Sequence, residues 1–381
     1  MNSLPALKIA HVDTGMTLRG GQRQLLLLAE GLRACGHDQL IVCPEGSGLE
    51  AQSGGQGLKV FTLPPNDPAH ALGIMLLRQQ IKTLGTEILH AHDGRGHTVA
   101  WFASAGLPVR RVASRRVTFF PADRWTYRLK YGHTCDAVIT VSEFIRDLAV
   151  RGGVPREHIE VIPDGIELPA TLPSAADRAR LRKAWQIEEG NFVVGQLGAL
   201  SAEKGQEVAV AALGRLADKL PHVRLVLAGE GMDAAQGPVA AMIEPWRERI
   251  RLLGNVTDLA DFFPGLDLFL MPSKSEGLGS SALWAMAYGL PVIASRVGGL
   301  PEVVAENETG WLVAPDSAEA LAEAILVAAS DLGRLRQFGS NGRLRAGNFT
   351  VDIMVRRTEA LYRRVLADHS NGAPPCALTS D

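Results

Sequence analysis

The segment SEGLGSSALWAMAYGLPVIAS, residues 275–295, has the residue types that a phosphate-binding turn needs. It follows the strand-like run LFLMPS and leads into an apolar helical segment that Gly289 and Pro291 end. The turn is therefore a helix N-terminus, where free backbone N–H groups and the helix dipole favour an anion. Gly277 and Gly279 allow a phosphate to approach the backbone closely, so we expect a diphosphate here. From composition alone, a glycine turn chosen only for its backbone angles fits equally well.

Two other glycine-rich segments depart from the standard nucleotide motifs. GMTLRGGQ, residues 15–22, has the glycine spacing of a phosphate loop, but Gly21 and Gln22 stand where that motif needs Lys and Ser or Thr. GEGMDA, residues 229–234, matches GxGxxA, yet it follows the second strand of its domain, whereas the dinucleotide fingerprint follows the first. We therefore expect neither a nucleoside triphosphatase nor a nicotinamide or flavin cofactor.

The sequence contains no evident cluster of metal ligands. Asp-x-Asp does not occur, the four cysteines have no CxxC spacing, and His90, His92 and His97 would share a strand end and loop instead of one helix face. GxSxG is also absent, which argues against an esterase. We expect no bound metal and no cofactor.

The composition is that of an ordinary globular protein. With 381 residues, 46% of them hydrophobic, the chain can bury a large core divided between two domains. The formal net charge of −2 lacks the basic excess typical of nucleic-acid binding, so no nucleic-acid partner is expected. The start has no leader-like pattern, no long apolar run follows, and the cysteines are scattered, which together predict a cytoplasmic protein.

Short runs rich in Val, Ile and Leu alternate with segments of helical spacing, a pattern typical of parallel sheets covered by helices. A first series predicts strands at 7–12, 39–43, 58–63, 87–91, 111–114, 136–141 and 159–162. A second series predicts strands at 192–198, 223–229, 250–254, 266–272, 291–295 and 310–315. The proline-rich segment 163–177 is interpreted as the link between them. The predicted fold class is α/β, with two Rossmann-like, doubly wound parallel-sheet domains that face a central ligand-binding cleft.

The sharpest local charge asymmetry lies in PVRRVASRRVTFFPADRWTYRLKYGH, residues 108–133. This basic segment has seven Arg or Lys against one acid, Asp123, with aromatic residues interleaved. Because it follows a predicted strand, it should border the cleft, where it could hold an anionic acceptor or rest on anionic lipid headgroups. Arg115 and Arg116 are the candidates for contacting acceptor phosphates or carboxylates. The alternative is a solvated face without a partner.

Five segments resemble the ordered signatures of glycosyltransferase family 4, retaining enzymes of the GT-B architecture. They are VSEFIRDLAVRGGVPREHIEVIPDGIE, GALSAEKGQ, LAGEG, GNVTD and SEGLGSSALWAMAYGLPVIASRVGGLPEVV, and the resemblance spans roughly residues 7–365. SRRVTF also resembles a sequence in relatives that build lipopolysaccharide cores. The resemblance implies an acceptor-binding domain at 1–165, a nucleotide-sugar-binding domain at 166–350, a helix at 351–367 that crosses back to the first domain, and a loose tail at 368–381.

The resemblance also implies roles for individual residues. Glu276 matches the first glutamate of the family's Glu-x7-Glu motif, which contacts the donor sugar, and Lys204 matches the lysine that neutralises the departing diphosphate. A fixed cation stabilises such a leaving group when no metal is present. His92 falls where many relatives carry a histidine beside the sugar. The other implied donor-binding positions are Gly21, Gly198, Gly231, Val256, Gly277, Leu278, Gly279 and Ser280.

Two positions depart from the family pattern. Trp284 replaces the motif's second glutamate, which usually binds the ribose hydroxyls, and Ala199 replaces the family's arginine five residues before the lysine. The apolar neighbours of Trp284 predict simple core packing for its side chain. The functional alternative is that Trp284 flanks the ribose or base and takes part in donor binding. Both replacements would weaken donor binding without necessarily abolishing the chemistry.

We therefore expect a metal-independent, retaining glycosyltransferase that moves a sugar from a nucleotide-diphosphate donor to a glycolipid or glycan acceptor, in lipopolysaccharide or cell-envelope synthesis. The resemblance suggests same-face attack, in which the departing phosphate oxygen takes the acceptor proton. Peripheral contact with the cytoplasmic membrane through residues 108–133 is a further expectation. Two alternatives stay open: a catalytically degenerate sugar-nucleotide-binding subunit, motivated by Ala199 and Trp284, and a GT-B sugar-nucleotide epimerase.

Overall fold

A computed structural model of the chain describes residues 5–64, 71–118, 124–231 and 238–370. Residues 119–123 of the basic segment, among them Asp123, and residues 371–381 of the predicted tail lie outside the described residues. The chain divides into two compact units. Unit 1 is formed by residues up to Gly165 together with those from Val351 onward, and unit 2 is Ile166–Thr350.

Unit 1 is a parallel sheet covered by helices. Its strands are β1 (Lys8–Val12), β2 (Asp38–Pro44), β3 (Lys59–Leu63), β4 (Ile88–Ala91), β5 (Arg110–Arg115), β6 (Ala137–Thr140) and β7 (Ile159–Val161). Its helices are α1 (Gly20–Ala34), α2 (Gly48–Gly55), α3 (Ala71–Leu84), α4 (Gly94–Ser104), α5 (Arg124–Arg128), α6 (Glu143–Arg151) and the last helix, α14 (Val351–Ser370), with a π-helical turn at Leu129–His133. The strand order is β3-β2-β1-β4-β5-β6-β7, and all pairs are parallel.

Unit 2 repeats this architecture with a six-stranded sheet. Its strands are β8 (Phe192–Leu197), β9 (Val223–Ala228), β10 (Ile250–Leu252), β11 (Leu268–Met271), β12 (Val292–Ser295) and β13 (Gly310–Val313). Its helices are α7 (Ala175–Ala184), α8 (Gln206–Arg215), α9 (Pro238–Ile243), α10 (Ser280–Ala287), α11 (Leu300–Val303), α12 (Ala318–Ser330) and α13 (Leu332–Ala346). The order is β10-β9-β8-β11-β12-β13, again parallel throughout.

The apolar runs form the strands because helices cover both faces of each sheet. The central strands β1, β4, β8 and β11 are almost entirely buried, so they carry continuous apolar runs instead of an alternating pattern. Every predicted strand is present, with ends that differ by at most two residues. The predicted α/β fold with two Rossmann-like sheets is confirmed.

Both strand orders reverse direction once, and this reversal places the candidate site residues. In unit 1 the reversal lies between β1 and β4, and in unit 2 between β8 and β11. In such sheets, ligands bind beyond the carboxyl ends of the strands at this switch point, because the helices on its two sides diverge. A ligand-binding site is therefore expected at the turns that follow these four strands.

The last helix, α14, is part of unit 1. It packs on α1 at Gly31, where a Cβ atom would lie 2.4 Å from Val355 Cγ2. Tyr362 is fully buried, and its hydroxyl lies 2.6 Å from His90 Nδ1 on β4. The helix continues to Ser370, three residues beyond its predicted end. Within the described ranges, no helix combines the length and apolar character needed to cross a membrane.

Tyr362 should contribute strongly to the stability of unit 1. Tyr362→Phe keeps the ring but leaves His90 Nδ1 without its hydroxyl partner, and we expect a loss of about 1–3 kcal/mol in the free energy of unfolding. Tyr362→Ala also opens a cavity and should cost about 3–5 kcal/mol. Urea unfolding of the full chain measures both, with Arg356→Ala, exposed on the same helix, as the control. A Phe variant as stable as the original chain would contradict this.

Candidate functional site

The N-terminus of α10 is a backbone-lined turn, as the sequence predicts. Gly279 precedes the helix with φ of 105°, and a Cβ there would lie 2.4 Å from Leu300 Cδ2, so only glycine fits. No side chain caps this end and no acid lies in its first turn. The first amides of the helix therefore retain hydrogen-bonding capacity and a positive dipole end that an anion can use. Gly277, Leu278 and Gly279, which form this turn, are buried.

A second uncapped helix end lies at the same edge of the sheet. Gly205 precedes α8 with φ of 67°, and a Cβ there would lie 2.1 Å from Pro272 O at the end of β11. No side chain caps α8 either. Two hydrogen bonds hold the preceding loop, from Gln196 Nε2 to Lys204 O at 2.7 Å and from Gln206 Nε2 to Ala199 O at 3.0 Å. The backbone contact at Pro272 brings the α8 turn against the end of the strand that leads to α10.

An ion pair joins the two turns. Lys204 Nζ donates to Glu276 Oε1, which also accepts from Ser273 Oγ at 3.2 Å. The Glu276 side chain is 10% exposed and that of Lys204 is 31% exposed, so the cation is the more accessible partner. The structure thus brings together the two residues that the resemblance singles out, 72 positions apart in the sequence.

Three further implied donor positions follow strands of unit 2. A Cβ on Gly198 would lie 3.7 Å from Lys204 Cδ, so Gly198 borders the lysine stem. Gly231 is exposed in the turn after β9 with φ of 83°, and a Cβ there would lie 3.4 Å from Leu200 Cβ. Val256 is half-buried in the loop after β10. All three follow carboxyl ends of neighbouring strands.

Trp284 is less buried than simple core packing predicts. Its helix neighbours Ala282, Leu283, Ala285 and Met286 are fully buried, but Trp284 itself is half-exposed. It lies one turn after Ser280, which is also half-exposed, on the outward face of α10. Most of the surface of α10 is buried, and Trp284 lies on the part that is not. Ala199 is exposed and contributes its carbonyl oxygen to the loop.

In unit 1 the glycine turn before α1 is held by a carboxylate that the sequence analysis missed. Asp13, directly after β1, accepts at Oδ1 from Gly15 N at 2.9 Å and from Gln22 Nε2 at 2.9 Å. Burial and the nearby charge of Asp93 raise the pKa of Asp13. Gly21 lies in the first turn of α1, and a Cβ there would lie 3.9 Å from Arg116 Cδ. Asp13 could have been found from its position immediately after a strand at the switch point.

The imidazole of His92 is turned into the unit and both of its nitrogens are occupied. Nδ1 lies 3.3 Å from Arg116 Nη1, which can only donate, and Nε2 lies 3.0 Å from His11 Nδ1. His11 Nε2 in turn lies 2.8 Å from Gln39 Oε1. A consistent pattern follows if each neutral ring accepts at Nδ1 and donates at Nε2. The ring of His92, buried and engaged in this way, is a poor candidate for direct sugar contact.

His11, His90 and His92 are also close enough to be considered as metal ligands. Their candidate nitrogen atoms lie within 4.8 Å of one another, and all three rings are buried. However, each ring nitrogen already has a protein partner, since His90 contacts Tyr362 and Ser114. The Arg116 charge beside His92 would also oppose a cation. The residues therefore fit a neutral hydrogen-bonded network better than a metal centre.

Burial keeps these imidazoles uncharged. It lowers the pKa of His11 to about 4, with the Arg116 charge acting in the same direction. Burial also lowers the pKa of His90 and of His92 well below the ordinary value, with further lowering from neighbouring His11, His90 and Arg116. Neutral rings are what the hydrogen-bond pattern requires.

The charge of the basic segment is largely used inside unit 1. Arg116 Nε donates to Asp164 Oδ1 at 2.9 Å, with both side chains mostly buried. The Arg115 guanidinium lies over the rings of Tyr127 and Tyr131, at 5.6 and 5.2 Å from their centroids. Arg110 also has a partner inside the unit, since its guanidinium forms an ion pair with Asp136 at 2.7 Å. These contacts account for much of the charge asymmetry, and they leave Arg115 and Arg116 less free for an acceptor anion than the sequence suggests.

Comparison with known proteins agrees with this architecture. The family model described as Glycosyltransferase Family 4 matches residues 18–169, and the one described as Glycosyl transferases group 1 matches residues 177–345. The chain is 33% identical over 221 residues to D-inositol 3-phosphate glycosyltransferase of Segniliparus rotundus, covering 55% of this chain and 48% of that relative. It is 31% identical over 218 residues to the lipopolysaccharide core biosynthesis mannosyltransferase LpsB of Rhizobium meliloti, covering 54% and 61%. The chain thus spans about half to three fifths of these relatives' length.

The fold is also similar to solved structures. The crystal structure of HepE from Anabaena in complex with UDP superposes with a TM-score of 0.85 at 21% identity, covering 94% of this chain and 100% of that one. Two Rossmann-like parallel-sheet units with these neighbours define an α/β protein of the GT-B class. With both family models matched in order, the chain belongs to glycosyltransferase family 4.

The buried histidines should make stability depend on pH. Below about pH 6.5 the histidines of the unfolded chain bind protons, whereas the buried histidines of the folded chain stay neutral. The free energy of unfolding therefore falls as the pH drops from about 6.5 toward 4. Each fully linked histidine contributes a slope of about 1.4 kcal/mol per pH unit. His11→Gln should show a shallower dependence in urea unfolding at several pH values, whereas replacing the exposed His222 should leave it unchanged. Equal slopes for His11→Gln and the original chain would count against this interpretation.

Proposed function

We propose that the chain is a retaining glycosyltransferase that uses a nucleotide-diphosphate sugar as donor and a glycan or glycolipid hydroxyl as acceptor. The observation that carries this proposal is the Lys204–Glu276 pair between the uncapped N-termini of α8 and α10. The two helix N-termini present backbone N–H groups and positive dipole ends to this edge of the sheet, where a diphosphate would accept hydrogen bonds from them. Membership of family 4 supports the same reaction class.

In the proposed reaction, the bond between the donor's anomeric carbon and the diphosphate oxygen breaks. The acceptor oxygen forms the new bond on the same face, and its proton passes to the departing phosphate oxygen. Lys204 stabilises the charge that develops on this leaving group, and the amides at residues 279–281 add hydrogen bonds. Glu276 holds Lys204 in place and contacts the sugar. No step requires a metal, which is why we propose metal-independent transfer.

The donor is proposed to lie in unit 2, along the carboxyl ends of the strands. The backbone from Gly277 to Ser280 would bind the diphosphate. Gly198 and Gly231 have no side chains that would block it, and Val256 would lie by the base. The UDP complex of the Anabaena neighbour is consistent with a nucleotide in this fold. Unit 1 is proposed to bind the acceptor above Arg116 and His92, and Gly21, in the glycine turn before α1, is proposed to contact the donor. The name of the Rhizobium relative favours an acceptor in lipopolysaccharide or cell-envelope synthesis.

Donor identity is tested by thermal stabilisation against UDP-, GDP-, ADP-, TDP- and CMP-sugars, followed by measurement of nucleotide release with a lipid extract as acceptor. We expect selective stabilisation by one donor and release that depends on the acceptor. Thermal stabilisation by a donor without release of its nucleotide would instead favour a binding subunit without turnover. The replacements at Ala199 and Trp284 are the reason to consider that alternative. Conversion of the donor sugar without any acceptor would favour an epimerase.

Lys204→Ala should lower the rate of transfer by about 10²–10³-fold, because it removes the cation that stabilises the leaving group. Glu276→Gln should also slow transfer, since Lys204 then loses its ionic partner. Lys219→Ala, which removes an exposed lysine of the same unit, is the matched control and should retain full activity. Initial rates of nucleotide release measure all three. Unchanged transfer in Lys204→Ala and Glu276→Gln would show that the site lies elsewhere.

We also propose peripheral membrane contact through the basic segment, with apolar contacts more important than charge. Trp125 is 70% exposed, Val117 is 52% exposed and Arg128 is exposed, whereas most other basic side chains there have internal partners. An exposed indole favours the headgroup region. Flotation with anionic vesicles should therefore fall in Trp125→Ala and change only modestly between low and high salt. Leu344→Ala, an exposed apolar control in unit 2, should float normally, and unaltered flotation of Trp125→Ala would refute the contact.

A further inference from the structure

The outward face of α10 carries a small and unusual set of side chains. Ser280, Ser281, Trp284 and Tyr288 are the half-exposed residues from the start of the helix to its C-cap, and the others through Ala287 are buried. The helix has no acid in its first turn and none elsewhere in its sequence. Within the described part of the chain, the indole N–H of Trp284 has no hydrogen-bond partner. Trp284 therefore offers a ring face and a donor, but no acceptor.

The position of Trp284 relates it directly to the uncapped helix end. Long side chains on a helix lean toward its N-terminus and cover the turn before their own Cα. The indole of Trp284 therefore extends toward Ser280 and Ser281, about one turn or 5.4 Å along the axis. A nucleoside attached to a diphosphate at residues 277–281 would have its ribose next to this ring.

The carboxylates near this face are already engaged or lie further along it. Glu276 is bonded to Lys204 and Ser273. Asp258 accepts at Oδ1 from Ala260 N at 2.9 Å, and its charge acts on Tyr288, where together with burial it raises the pKa of that phenol. Tyr288 lies one turn beyond Trp284, away from the diphosphate end. Within the described ranges, these carboxylates thus lie toward the two ends of α10, and none belongs to the helix face that carries Trp284.

We propose that the donor site packs the ribose against Trp284 without a carboxylate contact, and that it accepts 2′-deoxyribonucleoside diphosphates nearly as well as the ribonucleotides. This rests on the proposed donor site in unit 2. Discrimination against deoxyribose depends on a protein group left unpaired when the 2′-hydroxyl is missing. A neutral indole donor provides little of this, whereas a carboxylate that accepts from the hydroxyl provides much more.

The experiment measures dissociation constants by calorimetry for base-matched pairs: UDP and dUDP, GDP and dGDP, ADP and dADP, CDP and dCDP. For the base that binds, we expect the deoxy form to bind no more than about threefold more weakly in the full chain. Trp284→Glu introduces a hydroxyl acceptor at this place and should raise the ratio at least about tenfold. Trp284→Gln, of similar size but uncharged, should raise it less. Asp258→Asn should leave the ratio unchanged.

The outcomes separate the two proposals. Binding of a ribonucleotide with a tenfold or larger penalty for its deoxy form in the original chain would overturn this inference and leave the proposed donor site standing. A penalty that disappears in Asp258→Asn would assign hydroxyl recognition to Asp258 and overturn it as well. If none of the diphosphates binds, the proposed function falls and this inference falls with it. The ratio in the original chain decides the matter even if Trp284→Glu does not fold.

Discussion

Parallel strand pairing is the constraint on which the rest of this structure depends. It brings the carboxyl ends of all strands in a sheet to one edge, so every turn that leaves a strand there is near its neighbours. In unit 2 this places the glycine turns after β8 and β11 side by side, and with them Lys204 and Glu276. In unit 1 it places Asp13 after β1 and His92 after β4. Residues far apart in sequence become a site because hydrogen bonds fix the strand order.

The electrostatics of unit 2 follow from the backbone N–H groups that two helices present at this edge of the sheet. Two helix N-termini lack side-chain caps, and both begin at glycines with positive φ where backbone contacts leave no room for a Cβ. Glu276 compensates the charge of Lys204, and because its carboxylate is the more buried partner, it fixes the position of the partly exposed lysine side chain. A partly buried pair of this kind gives little net stability, since desolvation offsets much of the attraction. Its value lies in positioning a cation.

The polar interior of unit 1 serves a different purpose. Arg116, His92, His11 and Gln39 form a chain of hydrogen bonds, and His90 links β4 to Ser114 and to Tyr362 of α14. Neutral rings make this network possible in a buried environment, since a protonated imidazole would face both desolvation and the Arg116 charge. The network ties the sheet to the last helix. Asp13, at the edge of the same sheet, is held separately by Gly15 and Gln22.

The sequence by itself determined the strands and the glycine turns, and the resemblance singled out Lys204 and Glu276. These are local properties, because continuous apolar runs report burial on both faces and glycines report backbone angles that other residues avoid. The tertiary structure alone decided that His11 meets His92, that Asp164 and two tyrosines engage Arg116 and Arg115, and that Trp284 is half-exposed. Such contacts join distant segments, and the side on which α10 remains open depends on which elements pack against it. Apolar periodicity cannot supply that information when nearly every position of a helix is apolar.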